Sequence, residues 1–442
     1  MTAPGLIIAA PASGSGKTLV TMALLRALRR RGVRVAAAKS GPDYIDPGFH
    51  AQASGRPCLN LDAWAMRPAT IGATIAVLSR DADLVLCEGA MGLFDGIDAS
   101  GTGSCADLAR RTGWPVLLVV DCAAQAASVA PLVAGFAHHR ADVIVAGVIF
   151  NNVGSARHAA LLDEAIARTL PDLKRLGALA RDPSLGLPER HLGLVQAREQ
   201  PALEALIERA ADRAAEAVDL DALVALARPT MLPLRDSASA IRPLGQRIAV
   251  ARDDAFSFVY PAMIEGWHRA GAAILPFSPL ADEAPEANAD AVFLPGGYPE
   301  LHAGRLAANR KFLDGLRAAA ARGAAVYGEC GGYMVLGRTL ADADGHRHAM
   351  AGLLPVETSF HTRRLSLGYR TVKLAAATPL GPAGTAFRGH EFHYATVTSP
   401  GQSPLFEARD AADRPLEAAG CRQGAVSGSF VHLIDSEEEG AT

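Results

Sequence analysis

The chain has almost no lysine. Among its 442 residues only Lys17, Lys39, Lys174, Lys311 and Lys373 occur, and the other basic residues are arginines. With the many alanines this reads first as the coding style of a GC-rich genome. It also makes Lys17 and Lys39 conspicuous, because both lie near one N-terminal glycine-rich segment. A surplus of either charge is missing as well: 43 basic against 46 acidic residues leave a formal net charge of -3. That balance gives no ground for recognition of nucleic acid or an anionic membrane through bulk charge. The six cysteines, Cys58, Cys87, Cys105, Cys122, Cys330 and Cys421, include no C-x-x-C pair, which argues against a zinc site or a dithiol redox centre. Their scatter in a chain of this size fits a reducing compartment, and a cytoplasmic location is expected. No run of about 18 apolar residues occurs, so no membrane span is expected. The first residues also lack the basic stretch, apolar run and cleavage site of a secretory leader.

What is present is an α/β pattern on two domains. A chain of this length exceeds one ordinary core. Apolar runs at 5–11, 33–43, 82–96, 114–121 and 141–153 read as buried strands, and helical spacing at 18–32 follows the first of them. Strands alternating with helices indicate a parallel sheet. A long alanine-rich helical stretch (201–227) precedes a segment rich in proline and polar residues, which reads as a linker. A second α/β series starts at 247. The expected division is a domain over 1–228, a linker over 229–246 and a domain over 247–442.

The stretch PASGSGKT, Pro11 to Thr18, is nearly the phosphate-binding pattern G-x-x-x-x-G-K-[ST], with proline in the first glycine's place. Such a loop aims backbone N–H groups at phosphates from a helix N-terminus. Gly14, Ser15 and Gly16 would shape it, Lys17 would face the β/γ-phosphates, and the Thr18 hydroxyl would ligate Mg²⁺. An ordinary Gly/Ser turn is disfavoured by the strand before the loop and the helix after it. Asp43, Tyr44 and Asp46 in SGPDYIDPGFH sit in a turn-rich loop, where turn chemistry alone accounts for them equally well. Glu88 ends a buried strand, the place where a P-loop enzyme puts a second metal carboxylate. Asp95, among glycines, could face substrate.

Later, YGECGGYMVLG puts Cys330 on a glycine-crowded turn between a strand (324–327) and an expected helix (333–340). A strained strand-to-helix turn exposes a nucleophile, and a helix N-terminus favours its thiolate. The Gly331 N–H, with Gly297 of LPGGYPE as second donor, could form an oxyanion hole. His432 in SGSFVHLI is the candidate base. His390 and His393, three apart on a strand, point to opposite faces, so a metal pair is not expected. His393 or Tyr394 could contact substrate.

The ordered set APASGSGKT, KSGPDYIDPGFH, NLDAW, CEGAMGLFDG, PGGYPE, GECGGYMVLG, GHEFHY and GSFVHL resembles the cobyrinic or hydrogenobyrinic acid a,c-diamide synthases of cobalamin biosynthesis along essentially the whole chain. The resemblance implies an N-terminal P-loop domain similar to dethiobiotin synthetase and a C-terminal class I glutamine amidotransferase domain of flavodoxin-like type. It also implies ATP- and glutamine-dependent amidation of a corrinoid through acyl phosphates, with Mg²⁺. Lys17 and Thr18 would then serve ATP and metal. Asp43, Asp46, Glu88 and Asp95 match acidic positions for metal, substrate and intermediate, and Cys330 and His432 match the glutaminase pair. The partners expected are small molecules, namely a tetrapyrrole, ATP and glutamine, and the assembly expected is a homodimer. Ile434 stands where many class I glutaminases have a glutamate, two residues after the histidine, so a third member is absent or comes from elsewhere. Three readings stay open beside this one: a nickel sirohydrochlorin a,c-diamide synthase, a cobyric acid synthase, and a P-loop regulatory ATPase with a degenerate glutaminase domain. Ala12, in the place of a switch-ATPase lysine, counts against the last. Between corrinoids, the GC-rich style favours metal-free hydrogenobyrinic acid.

Overall fold

Seven strands of the first half lie in one parallel sheet of order β3-β2-β4-β1-β5-β6-β7. They are β1 (Gly5–Ala9), β2 (Val35–Ser40), β3 (Leu59–Leu61), β4 (Leu84–Glu88), β5 (Val116–Asp121), β6 (Val145–Val153) and β7 (Lys174–Ala180). The computed structural model describes residues 2–190, 193–234 and 241–437. GLIIA of β1 and LVLCE of β4 are buried along their whole length. Continuous apolar strands of this kind are what a parallel sheet covered on both faces requires. The sheet adds β3 and β7 to the five apolar runs read from sequence. Strand β1 lies between β4 and β5, with β2 and β3 beyond β4 and with β6 and β7 beyond β5. The crevice beyond the carboxyl ends of such central strands is where open α/β sheets bind ligands.

Helix α1 (Lys17–Arg30) leaves β1 through a seven-residue loop, and α2 (Asp46–Ser54) leaves β2. The expected helix over 201–227 is two, α3 (Leu203–Ala217) and α4 (Leu220–Leu226). The break falls at Asp219, whose carboxylate accepts from the Ala222 N–H and caps the second helix. Arg26 is buried where α1 meets α3. Its guanidinium bonds Glu204 at 2.6 Å and also Glu208, and donates to the Ala53 carbonyl at 3.0 Å.

The chain divides into two compact units. One is Met1–Trp64 with Pro68–Asp236, and the other is Ala65–Arg67 with Ser237–Thr442. In the second, β8 (Arg247–Ala251), β9 (Ala273–Phe277), β10 (Ala291–Leu294) and β11 (Ala325–Glu329) precede α5 (Gly331–Leu336). Next come β12 (Ser366–Leu374), β13 (Ala386–His393), β14 (Phe406–Asp410), β15 (Cys421–Gln423), β16 (Val426–Ser429) and β17 (His432–Ser436). Its main sheet has the order β9-β8-β10-β11-β16-β15, parallel except for β15. An antiparallel sheet of order β14-β12-β13-β17 adjoins it. The helix after Cys330 is shorter than the expected 333–340. It ends at Leu336, and Thr339–Ala341 is a strand. Apolar residues on one face of the main sheet, among them Val292, Leu294 and Val326, pack with Phe256, Phe312, Leu316 and Val335 in a core of this unit.

Candidate active sites

The loop between β1 and α1 turns through two left-handed glycines, Gly14 at φ 78° and Gly16 at φ 85°, a region that side chains other than glycine enter at a cost. Gly16 has a second reason to lack a side chain: a Cβ there would stand 2.3 Å from Asn151 Nδ2. Asn151, on β6, donates to the Ser15 carbonyl at 3.0 Å. The Ser15 hydroxyl and the Lys17 ammonium both donate to the Ala12 carbonyl, at 2.8 and 3.3 Å. The lysine therefore folds back over its own loop. Burial lowers its pKa, against the pull of Glu88. The glycine-rich segment after β4 sits against the loop's start: the Leu93 N–H donates to the Ala10 carbonyl at 2.9 Å. The Cβ position of Gly92 is 2.6 Å from both the Pro11 carbonyl oxygen and Asp95 Oδ2. Asp95 accepts from the Gly92 N–H at 2.8 Å, so its carboxylate is fixed beside the loop's mouth.

Beyond the loop, three carboxylates converge on one ammonium. Lys39 Nζ lies 2.7 Å from Asp46 Oδ2, 3.2 Å from Glu88 Oε1 and 3.8 Å from Asp43 Oδ2. Thr18 Oγ1 is 2.9 Å from Glu88 Oε1 and 3.2 Å from Asp46 Oδ2, and His50 Nε2 bonds the other Glu88 oxygen. Burial pushes the Glu88 carboxyl up, but Lys39 and His50 outweigh it and hold it at about 2. Burial likewise opposes the Lys39 charge, yet the carboxylates around it raise its pKa well above the ordinary value. Asp43 is pushed up to about 7 by burial and by Asp46, despite Lys39 and two backbone N–H donors, those of Ile45 and Asp46. One lysine thus leaves a surplus of negative charge. The oxygens of Thr18, Asp43, Asp46 and Glu88 are the hard donors that Mg²⁺ takes, and the raised Asp43 marks where a further cation would be welcome. Tyr44 is half-buried in the same loop. The 40–50 segment is a loop only in part: from Asp46 it is helix α2, begun with Pro47 in its first turn.

In the second unit, Cys330 holds a φ of 47° between β11 and α5. The turn is packed from all sides. A Cβ on Gly332 would meet the Leu294 carbonyl oxygen at 1.9 Å, and one on Gly331 would lie 2.8 Å from Pro299 and 3.1 Å from the Gly297 nitrogen. Gly331 and Gly297 are therefore neighbours at the turn. The Cys330 N–H donates to the Ser429 carbonyl at 2.8 Å. The Cβ position of Gly296 is 2.4 Å from His432 Cε1 and 3.3 Å from Cys330 Cβ, so the Cys330 Cβ and the His432 imidazole flank one point. Burial pushes the Cys330 thiol well up, Glu300 adds to the effect, and the Gly331 N–H opposes it. His432 begins β17, fully buried, with Nδ1 3.7 Å from Glu329 Oε2. The His390 ring meets its edge at 5.1 Å.

His393 and Tyr394 belong to this second unit and not to the carboxylate cluster. His393 stacks on Phe430 at 3.9 Å and bonds the Ala395 carbonyl, and burial lowers its pKa to about 4. The Tyr394 carbonyl accepts from the Arg364 N–H. The opposite facing expected of His390 and His393 is what β13 gives. Sequence reasoning missed His50, Asn151 and Glu329, and it set His390 aside. His50 had a signal, since it lies four residues beyond Asp46 once D-P is read as a helix start. The others are brought in by neighbouring strands.

Residues 6–195 match the CobQ/CobB/MinD/ParA nucleotide binding domain, and residues 247–439 match the CobB/CobQ-like glutamine amidotransferase domain. The chain is 55% identical over 442 residues to hydrogenobyrinate a,c-diamide synthase of Brucella suis biovar 1 (strain 1330), covering 99% of this chain and 100% of that one. It is 54% identical over 439 residues to the protein of the same name from Rhizobium meliloti (strain 1021), covering 98% and 100%. With that from Agrobacterium fabrum it shares 53% over 437 residues, 98% and 99% of the two chains. No helix among the described residues is long and apolar enough to cross a membrane. Both halves are matched and the identity runs end to end, so the chain belongs to the hydrogenobyrinate a,c-diamide synthase family, a group of glutamine-hydrolysing ligases.

Proposed function

We propose that this protein amidates the a- and c-acetate carboxylates of hydrogenobyrinic acid in cobalamin biosynthesis, with ATP activating each carboxylate and glutamine supplying the nitrogen. The observation that carries the reading is one chain holding both a phosphate loop flanked by carboxylates and a cysteine elbow with a histidine, alongside its end-to-end likeness to synthases of that name. The metal-free corrinoid is preferred to the cobalt form for the same likeness.

A carboxylate is a poor electrophile because oxide would have to leave. Its oxygen attacks the γ-phosphorus of ATP, ADP departs, and the acyl phosphate formed has a good leaving group. Lys17 and the N–H groups of the 10–16 loop hold the β- and γ-phosphates in line. Thr18, Glu88 and Asp43 would hold Mg²⁺. When bound, it supplies charge neutralisation at the phosphate oxygens. Asp46 and Tyr44 are assigned to substrate, with Lys39 balancing the carboxylates, and Asp95 to handling of the intermediate at the loop's mouth. Ammonia then attacks the acyl carbon and phosphate leaves.

The ammonia comes from glutamine. Cys330 Sγ attacks the side-chain amide as its proton passes to His432. The N–H groups of Gly297 and Gly331 receive the oxyanion. His432 returns the proton to the departing ammonia, and water hydrolyses the thioester. His393 and Tyr394 are assigned to substrate contact in this unit. A cytoplasmic homodimer completes the proposal.

The test separates the two chemistries. Cys330→Ala loses glutamine-dependent amidation and keeps activity with added ammonium, whereas Lys17→Ala loses both. Full ammonia-driven turnover by Lys17→Ala would reject the role given to the loop. Loss of ammonia-driven turnover in Cys330→Ala would reject the division of labour.

A further inference from the structure

The glutaminase pair lacks the glutamate expected two residues beyond its histidine, because Ile434 stands there, apolar and buried. We propose that Glu329, the residue immediately before the nucleophile, takes over its task as the positioning residue of His432. The proposal rests on the assignment of Cys330 and His432 above and adds the group that orients the imidazole.

The geometry explains how a residue beside the nucleophile can reach the base. Tyr327 and Glu329 alternate with Gly328 and share one face of β11. The Tyr327 hydroxyl donates to Glu329 Oε1 at 3.2 Å, and the Leu433 N–H donates to the same oxygen at 3.2 Å. These two donors fix the carboxylate from a strand and from the residue next to His432. They leave Oε2 on the side of His432 Nδ1, 3.7 Å away, with both side chains almost wholly buried. That distance is an ion-pair approach. It shortens to a hydrogen bond once Nδ1–H belongs to an imidazolium, as catalytic contacts do when the reacting complex forms. A carboxylate so placed holds the tautomer in which Nε2 is free to take the thiol proton, and it stabilises the charged ring.

Other carboxylates nearby are committed elsewhere. Asp435 accepts from Arg67 through its backbone N–H and its guanidinium, each at 2.8 Å. Glu391 is paired with Arg370 at 2.8 Å. Glu300 acts on the Cys330 side. Among the described residues, Glu329 and His390 lie against His432, with Cys330 across the Gly296 position from it.

Glutamine hydrolysis by the full-length protein tests this, with Glu329→Gln as the main variant, since it keeps size and an acceptor for the two donors. Its kcat for glutamine hydrolysis falls about 100-fold or more, while KM changes little and ammonia-driven amidation stays at the wild-type rate. Glu329→Asp recovers part of the rate, and Tyr327→Phe, which spares the carboxylate, loses much less. Wild-type glutamine hydrolysis by Glu329→Gln would overturn the proposal. So would an equal loss of ammonia-driven amidation, which would make the role merely structural. If instead Cys330→Ala and His432→Ala retain glutamine hydrolysis, the underlying pair is wrong, and that outcome is distinct from failure of Glu329 alone.

Discussion

One methyl group added at Gly296 puts the geometry of the glutaminase pair under direct strain. Its Cβ would lie 2.4 Å from His432 Cε1 and 3.3 Å from Cys330 Cβ. Carbon atoms in contact sit about 3.5–4.0 Å apart, so the imidazole has to yield by about 1 Å. On the Cys330 side the fit is a few tenths of an ångström too tight. Neither neighbour moves freely, because His432 is walled by His390 and Glu329, and Cys330 is held on its glycine-packed turn. Overpacking of this kind costs about 1–3 kcal/mol, which a unit of this size tolerates. A 1 Å misplacement of reacting groups costs about 100-fold in rate. Gly296→Ala is therefore expected to fold, to lose about 100-fold in kcat for glutamine hydrolysis, and to keep ammonia-driven amidation. Coupled assay of glutamate release beside amidation with ammonium measures both. Wild-type glutamine hydrolysis in this variant would refute the convergence of Cys330 and His432 at Gly296.

Further outcomes follow from the buried charges. Lys39→Met removes the cation shared by Asp46, Glu88 and Asp43 and is expected to destabilise the first unit by about 3–5 kcal/mol, read as a lower denaturant midpoint at pH 7.5. An unchanged midpoint would show that the three carboxylates do not depend on Lys39. His393 is held at about 4 by burial, against about 6.5 for a free imidazole. The unfolded chain takes up this proton as pH falls below 6.5 and the folded chain does not, so stability is lost between pH 6.5 and 4. At pH 5 the loss is about 2 kcal/mol. His393→Phe keeps the stack on Phe430 and removes that loss. Between pH 7.5 and 5 its melting temperature should fall about 4–8 °C less than that of the wild type. Equal falls would contradict the buried neutral imidazole.

Much of this was legible in the sequence because the chemistry is local. A phosphate loop and a cysteine elbow are each built from consecutive residues whose glycines answer to backbone geometry: Gly14 and Gly16 take left-handed angles, and Gly331 packs against Gly297. Pro11 stands in the first glycine's place at the loop's start, where the segment around Gly92 packs against its carbonyl. What was illegible depends on pairing across strands. Glu329 reads as a residue beside a nucleophile, and only the fold of β17 against it brings His432 within reach. Asn151 and His390 are likewise delivered by neighbouring strands. His50 was hidden by reading 40–50 as turns throughout, since a D-P step both makes a turn and opens a helix. The break at Asp219 was masked by the alanine richness of 201–227, which favours helix on either side of the cap.

The central claim is the reaction itself. The most direct measurement offers the purified protein ATP, Mg²⁺, glutamine and hydrogenobyrinic acid, and counts amide groups on the corrinoid by mass spectrometry. Conversion to the a,c-diamide, with none when ATP is omitted, is the result predicted. Recovery of unmodified hydrogenobyrinic acid from an otherwise folded, glutamine-hydrolysing protein would contradict it.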